Sequence, residues 1–512
     1  MGKNKQMAAN MAAQTVSFAI SMLVSFFLAP FVVGRIGKEV YGFVGLSNNV
    51  ISYVAVFTAA INGMANRYIT ISYVKGDIKT ANQYFTSVAI ANIFVVAVLI
   101  VPAAFLIAYL EKVINIPFEH ILDVKVLWAF VFAMFTLELV FGRMEVATFA
   151  SNRLDLNGMR TMESNILKVV LLFGMYYFLP PRVAYVGISA FLCAIYVVLA
   201  NIRYMKKLTP DIRFRKSLFD FSSVKEILNT GIWNSANQLS QLLFTGLDLL
   251  IANLFIGAAG MGLLSISKTL PIHILAFIGM IAGVFYPQMT ITYAKGNLKD
   301  FLKDTSFATR VCGFVCSVPI MGILIFGKAF FTLWLPTLSQ SEIMEIQMLS
   351  VLTVLPQVFS IYVFPLYQVN TLTCKLKIPS IVNISLGMIN VIAVFLLLKF
   401  TNLGLYAIAG VSSLLLLLRV VFFAPMYAAA NIKMGLWTFY PALLRGVLLN
   451  IVIGVVFYGI YRCFVIDSWL MLIIDAGVSA GVGYLLGLFI LFRKEERRKI
   501  LDFVRRKQGD RV

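Results

Sequence analysis

Charge is scarce in this chain. Only 13% of its 512 residues are Asp, Glu, Lys or Arg, while 60% are hydrophobic and the mean hydropathy is +0.88. A water-soluble fold of this length needs a larger charged share to cover its surface, so a soluble protein is excluded. Histidine is nearly absent, with two residues, and there are five cysteines, at 193, 312, 316, 374 and 463. All five lie in or beside apolar runs. Cys312 and Cys316 are one helical turn apart, but no His or acid joins them. They read as small apolar residues, and neither a metal site nor a disulfide framework is expected. No Walker loop, metal cluster or nucleophile triad is present either. No enzymatic activity, catalytic residue or cofactor is therefore expected.

What the chain does have is apolar length. Fourteen runs of about 20 residues or more recur along it, each able to cross a ~30 Å hydrocarbon core as a helix. They lie at 11–34, 41–66, 83–110, 123–150, 163–180, 183–205, 228–256, 258–286, 306–333, 344–369, 377–399, 403–428, 439–463 and 467–492. Strands are a poor reading, because the runs lack period-2 alternation and are too long. An all-α polytopic membrane protein with fourteen transmembrane helices is expected. The stretch "YFLPPRVAY" must be a tight external turn.

The net charge of +20 invites a nucleic-acid reading, and its distribution argues against one. With the N-terminus inside, cytoplasmic segments hold about 30 of the 43 Lys and Arg, and external segments about 8. This asymmetry is the positive-inside rule. It places both termini in the cytoplasm, with the basic tail resting near anionic lipid.

Residues 36–79 align without a gap onto 256–299, and thirteen of those 44 positions are identical. The shared residues include Gly37/Gly257, Gly42/Gly262, Tyr73/Tyr293, Lys75/Lys295 and Gly76/Gly296. Six spans separate the copies, an even number, so both have the same orientation. That is a parallel repeat about an axis along the membrane normal. Two pseudo-symmetric six-helix lobes follow, 1–206 and 228–430, joined by a basic cytoplasmic linker at 207–227. Two further helices at 431–492 and the tail at 493–512 complete the division.

The stretch "FLAPFVVGRIGKEVYGFVGLSNN" resembles the first-to-second helix signature of oligosaccharide-lipid flippases of capsule and O-antigen pathways. "GIWNSANQLSQLLFTGLDLLIANLFIGAAGMGLLSIS" resembles its partner at helices 7 and 8. These flippases belong to the multidrug/oligosaccharidyl-lipid/polysaccharide exporter superfamily. The resemblance implies a V-shaped, MATE-like alternating-access fold without an ATP site, in a bacterial inner or plasma membrane. It implies a substrate built as undecaprenyl (polyprenyl) pyrophosphate carrying a short oligosaccharide, and polysaccharide polymerase or assembly proteins as partners. In the lipid II flippases of this superfamily, helices 13 and 14 form a groove for the lipid tail. The multidrug branch usually stops at twelve helices, which favours a lipid-linked substrate here. A cation-coupled multidrug antiporter of the same fold is the alternative. It would carry a cavity centred on carboxylates. A membrane polymerase or glycosyltransferase is a third reading, disfavoured by the short external loops.

An ionisable group deep in the bilayer costs several kcal/mol unless paired or hydrated, which makes it a functional candidate. Lys268 lies about ten residues into the eighth run, roughly 15 Å deep at the helical rise. The stretch "SKTLPIHILAFIGMIAGVFYP" resembles helix 8 of the lipid II flippases. There a basic residue at the matching place is thought to meet the pyrophosphate. Its other reading is an ion pair with Asp248. Asp248 itself is read as a partner of Lys268 or as a coupling group for H+ or Na+; membrane potential is a further source of drive. Glu138, Arg143 and Glu145 sit in the fourth run, with the two acids seven residues apart on one face. Arg143 must face another helix or the cavity. Arg419 lines the second lobe in this reading, and Arg35 lies at the external mouth. Among the amides in the spans are Asn48, Asn49, Asn62, Gln357 and Asn370. They fit either sugar hydroxyls or helix-to-helix bonds.

Overall fold

Apolar runs of this length leave the backbone no partner but itself, and a helix is the one single-segment way to satisfy every N–H and C=O in lipid. In the computed structural model the chain does this throughout. The structure describes residues 3–373 and 375–492 together with Arg497. Cys374 and the rest of the basic tail lie outside the described residues. Among the described residues, fourteen helical passes follow one another. The first six are α1 (Lys3–Ile36), α2 (Lys38–Val74), α3 (Ile78–Ala108), α4 (Phe118–Ala150), α5 (Leu154–Phe178) and α6 (Ala184–Leu208). Next, α7 runs Phe221–Gln241, through a π turn, into Asp248–Phe255, and α8 runs Ala258–Ser267, Thr269–Gly283 and Tyr286–Ala294. The rest are α9 (Leu298–Trp334), α10 (Gln340–Leu372), α11 (Lys377–Phe400), α12 (Leu405–Asn431), α13 (Tyr440–Cys463) and α14 (Trp469–Leu491).

Twelve of these passes are, among the described residues, long and apolar enough to span a membrane as they stand. Pass α2 makes a thirteenth if its two arms, bent by 69° around residue 57, count as one span. Pass α5 falls short because Glu163, Asn165 and Lys168 interrupt its apolar half. The chain is a multi-pass membrane protein.

Two compact units emerge from the packing. The first holds the chain up to Ser265 with Ser380–Ile392, and the second holds Ile266–Pro379 with the chain from Ala393 onward. The repeat divides the sequence between α6 and α7, whereas packing divides it inside α8 and α11.

In the first unit, Ile61, Ala65 and Ile69 of α2 are buried with Phe85 and Val88 of α3, Val146 of α4 and Ile227 of α7. The basic linker after α6 is strapped to α3. Asn82 accepts from the Arg213 N–H at 2.7 Å, Thr86 from Arg215 at 3.1 Å and Ser87 from Asp220 at 3.0 Å. Those polar α3 side chains are buried because they satisfy the extended backbone beside them. The turn before α6 is held by Asp123, whose carboxylate accepts from the Val183 and Ala184 N–H groups.

In the second unit, α13 and α14 pack on α9. Val318 and Met321 meet Leu449, Ile453, Phe457 and Leu472. Tyr362 of α10 fastens α13 by donating to the Gly446 carbonyl at 2.9 Å, and Asn450 donates back to its hydroxyl at 3.1 Å.

The repeat has a backbone counterpart. Lys75 and Lys295 end their helices at φ −73° and −74° with ψ −5° in both. Gly76 and Gly296 follow at φ +80° and +71°, a region that favours glycine. Asp77 and Asn297 then cap the next helix, accepting from the N–H groups of Thr80 and Asp300. The duplicated phrase encodes a duplicated turn.

Candidate functional site

Within 13 residues, the first half of α7 reads "NTGIWNSANQLSQ", with five amides and two serines. So polar a stretch needs partners or water when it enters a bilayer. Part of it meets α2. A Cβ on Gly231 would lie 1.8 Å from the Ala60 carbonyl oxygen, so only glycine permits this crossing. One turn on, Ser235 donates to the Val56 carbonyl at 2.7 Å. This foreign hydroxyl enters the helical ladder of α2 next to its 69° bend.

On the flank of this crossing is an open pocket of about 560 Å³ lined by Ala55, Thr58, Ala59 and Asn62 of α2 and by Asn237, Gln238 and Gln241 of α7. Its polar groups are amides and a hydroxyl, with no charge among them. Such a lining suits many weak, neutral hydrogen bonds rather than one strong ionic contact.

Above the pocket, the π turn Leu242–Gly246 disrupts the regular α7 bonds. Neighbours take its carbonyls. Asn390 donates to Leu243 and Phe244 at 3.1 and 3.2 Å, and Asn49 and Tyr53 donate to Gly246 at 3.0 and 2.7 Å. Asp248 opens the helix that follows, where the N-terminal dipole favours its charge. It is 2% exposed and within electrostatic reach of the Tyr53 phenol.

Lys268 stands in the second unit at the break between two segments of α8. The break has a cause. Pro271 has no N–H to give the Ser267 carbonyl, and Ser350 of α10 donates to that carbonyl at 2.7 Å. Gln357 donates to the Pro271 carbonyl at 3.0 Å. The lysine is half-buried beside this pinned break.

The other nominated residues belong to both units, Arg419, Gln357 and Asn370 to the second and the rest to the first. Arg143 is 6% exposed, within a 3₁₀ turn at Gly142–Glu145 that interrupts α4. That turn overwinds the helix, so the seven-residue spacing does not by itself keep Glu138 and Glu145 on a common face. Both acids are exposed, and Asn157 donates to the Glu145 carboxylate. Arg419 begins a π turn in α12, donates to the Tyr367 hydroxyl at 3.0 Å and stacks over its ring. Arg35 is exposed at the end of α1 and stacks on Phe31. Asn48 is exposed on α2. Asn49, Gln357 and Asn370 are spent on helix-to-helix bonds, the last with Asn431 at 2.8 Å.

No family model matches the chain. The uncharacterized membrane protein EpsK of Bacillus subtilis (strain 168) is 28% identical over 513 aligned positions, covering 98% of both chains. Among solved structures, the lipid II flippase MurJ in its inward closed conformation has a TM-score of 0.69 at 12% identity. That match covers 93% of this chain and 97% of the flippase. A multidrug resistance MATE family transporter of the MOP superfamily, facing inward, has a TM-score of 0.64 at 14% identity. It covers 80% of this chain and 96% of its own. The fold is MATE-like. In this MATE-like fold, reading the sequence for deep charges led to Lys268 and Asp248 and passed over Asn237, Gln238 and Gln241. Their signal was the low hydropathy of α7, the least apolar of the twelve passes able to span a membrane as they stand.

Proposed function

We propose that the chain is a transporter that flips an undecaprenyl-pyrophosphate-linked oligosaccharide from the cytoplasmic to the external leaflet by alternating access. The observation that carries this reading is one of extent. The multidrug transporter is matched over almost its whole length, yet leaves a fifth of this chain uncovered. The lipid II flippase accounts for 93%. A chain with α13 and α14 fastened to α9 and α10 matches the larger, lipid-handling relative better in extent. The amide pocket is a second support, since sugar hydroxyls are neutral donors and acceptors.

In this proposal Lys268 meets the pyrophosphate, for which a half-buried ammonium at a helix break is chemically apt. Arg143, Arg419 and Arg35 are further phosphate contacts along the route, and Asn48 with the α2–α7 amides reads the glycan. Asp248, Glu138 and Glu145 are candidates for ion pairing or for coupling to H+ or Na+. A multidrug antiporter of the same fold is the alternative.

A deletion strain tests the proposal. It should accumulate lipid-linked repeat units on the cytoplasmic face and lose surface glycan, and Lys268→Ala should reproduce this at normal protein level. Unchanged surface glycan with altered drug susceptibility would favour the antiporter.

A further inference from the structure

We infer that the groove between the ends of α5 and α6 is a binding site for the headgroup of an anionic diacyl phospholipid. The groove has a volume of about 460 Å³ and is lined by Arg160 of α5 and by Tyr196, Leu199, Ala200, Arg203, Tyr204 and Lys207 of α6. On α6 the spacing Tyr196, Ala200, Arg203, Lys207 follows one helical face, so the residues present a single stripe. The stripe changes character along its length. Leu199 is 61% exposed, and Leu192 two turns further on is exposed as well. Ile166 and Val170 form the matching exposed apolar line on α5. These surfaces belong to the hydrocarbon layer, and the cations sit where that layer ends.

Charge in the groove is organised. Arg160 donates to the Tyr196 hydroxyl at 2.8 Å, pairs with Glu163 at 2.7 Å and lies over the Tyr204 ring at 5.2 Å. Glu163 also accepts from the Tyr196 hydroxyl at 2.5 Å, so this acid is already engaged twice. Arg153, near the same Tyr204, is neutralised by Asp155 at 3.0 Å. Arg203 and Lys207 have no ion pair or hydrogen bond among the described residues. They are one turn apart and both exposed. Two uncommitted cations, an aromatic wall and an apolar floor open to lipid demand a ligand that is anionic at one end and apolar at the other. A soluble phosphate uses only the first half of that surface, whereas a phosphodiester carrying acyl chains uses all of it. The basic residues lie on the side that the positive-inside distribution assigns to the cytoplasmic leaflet, where anionic lipids supply that headgroup.

Native mass spectrometry of the purified full-length protein, with phosphatidylglycerol or phosphatidylcholine added at equal concentration, tests this site. The wild type is expected to retain phosphatidylglycerol several-fold more than phosphatidylcholine. Arg203→Gln with Lys207→Gln should abolish the difference. Lys299→Gln with Lys303→Gln removes the same charge from exposed positions on α9 and should leave it intact. If the double variant does not purify folded, Arg203→Gln alone should give a partial loss. Equal retention of the two lipids by the wild type overturns the site. Equal loss in both charge-matched pairs overturns it in favour of diffuse attraction. Displacement of phosphatidylglycerol by millimolar inorganic phosphate overturns it in favour of a soluble anion.

Discussion

Two glycines in the first unit, on α7 and α5, show how differently one residue type can be used. At Gly231 the space for a Cβ is already filled by the Ala60 carbonyl, and at Gly174 nothing lies within 4 Å. Gly231→Ala should therefore lower the thermal midpoint of the purified protein by an amount corresponding to about 1–3 kcal/mol. Gly174→Ala should leave it within error or raise it slightly. Equal effects would mean the α2–α7 crossing is looser than described. Asp475 poses the opposite question. It is 2% exposed in α14, and neither carboxylate oxygen has a partner among the described residues; the Ser479 hydroxyl one turn away is also unsatisfied. An unpaired buried carboxylate opposes folding. Asp475→Asn is expected to raise the thermal midpoint while export continues. A more stable variant that no longer exports would instead assign the carboxylate a role in proton handling.

At the scale of elements, the breaks matter more than the helices. Pass lengths were legible because hydrocarbon thickness dictates them. The Gly76 and Gly296 turns were legible because a positive φ favours glycine. The breaks were less so. Nothing in "LLFTGLDLL" announces a π turn, because its carbonyls are satisfied by Asn49, Tyr53 and Asn390, which lie far away in sequence. The bend of α2 likewise contains no proline and coincides with Ser235 of another helix. The α7 amides of the pocket were missed for a related reason, whereas Asn62 on α2 was legible as an amide within a span. A search for charge in the membrane ranks residues by desolvation cost, and a run of neutral amides costs less per residue. The α8 break beside Lys268 permits a direct test by double-mutant cycle. Ser350→Ala removes the donor to the Ser267 carbonyl and should cost roughly 1–2 kcal/mol. In a Pro271→Ala background the new N–H can serve that carbonyl, so the same Ser350→Ala change should cost less, with a coupling of about 1 kcal/mol. Additive costs would show that Pro271 and Ser350 do not share the carbonyl.

For the whole molecule, the repeat places equivalent residues against each other. Gly42 and Gly262 occupy matching positions in the two copies, and a Cβ on Gly42 would stand 3.0 Å from the Gly262 Cα. Gly45 and Ser265 also match, and a Cβ on Gly45 would lie 3.6 Å from the Ser265 Cβ. Helices α2 and α8 therefore meet at repeat-equivalent positions near their starts, within the first unit. Small residues allow that approach, and the end of the Met261 side chain fills the space left beside Gly42. Alternating access requires some helix contact on each side of the membrane to separate during the cycle. The α2–α8 crossing is the one this geometry makes easiest to test. A Cβ separation of 3.6 Å falls within the range a disulfide needs, about 3.5–4.5 Å. Gly45→Cys with Ser265→Cys, in a background where Cys374 and Cys463 are serine, should cross-link under mild oxidation. Surface glycan output should stop when the bond forms and return when it is reduced. Full output from the oxidised protein would show that this crossing stays shut throughout transport, and the moving contact would then have to lie elsewhere in the fold.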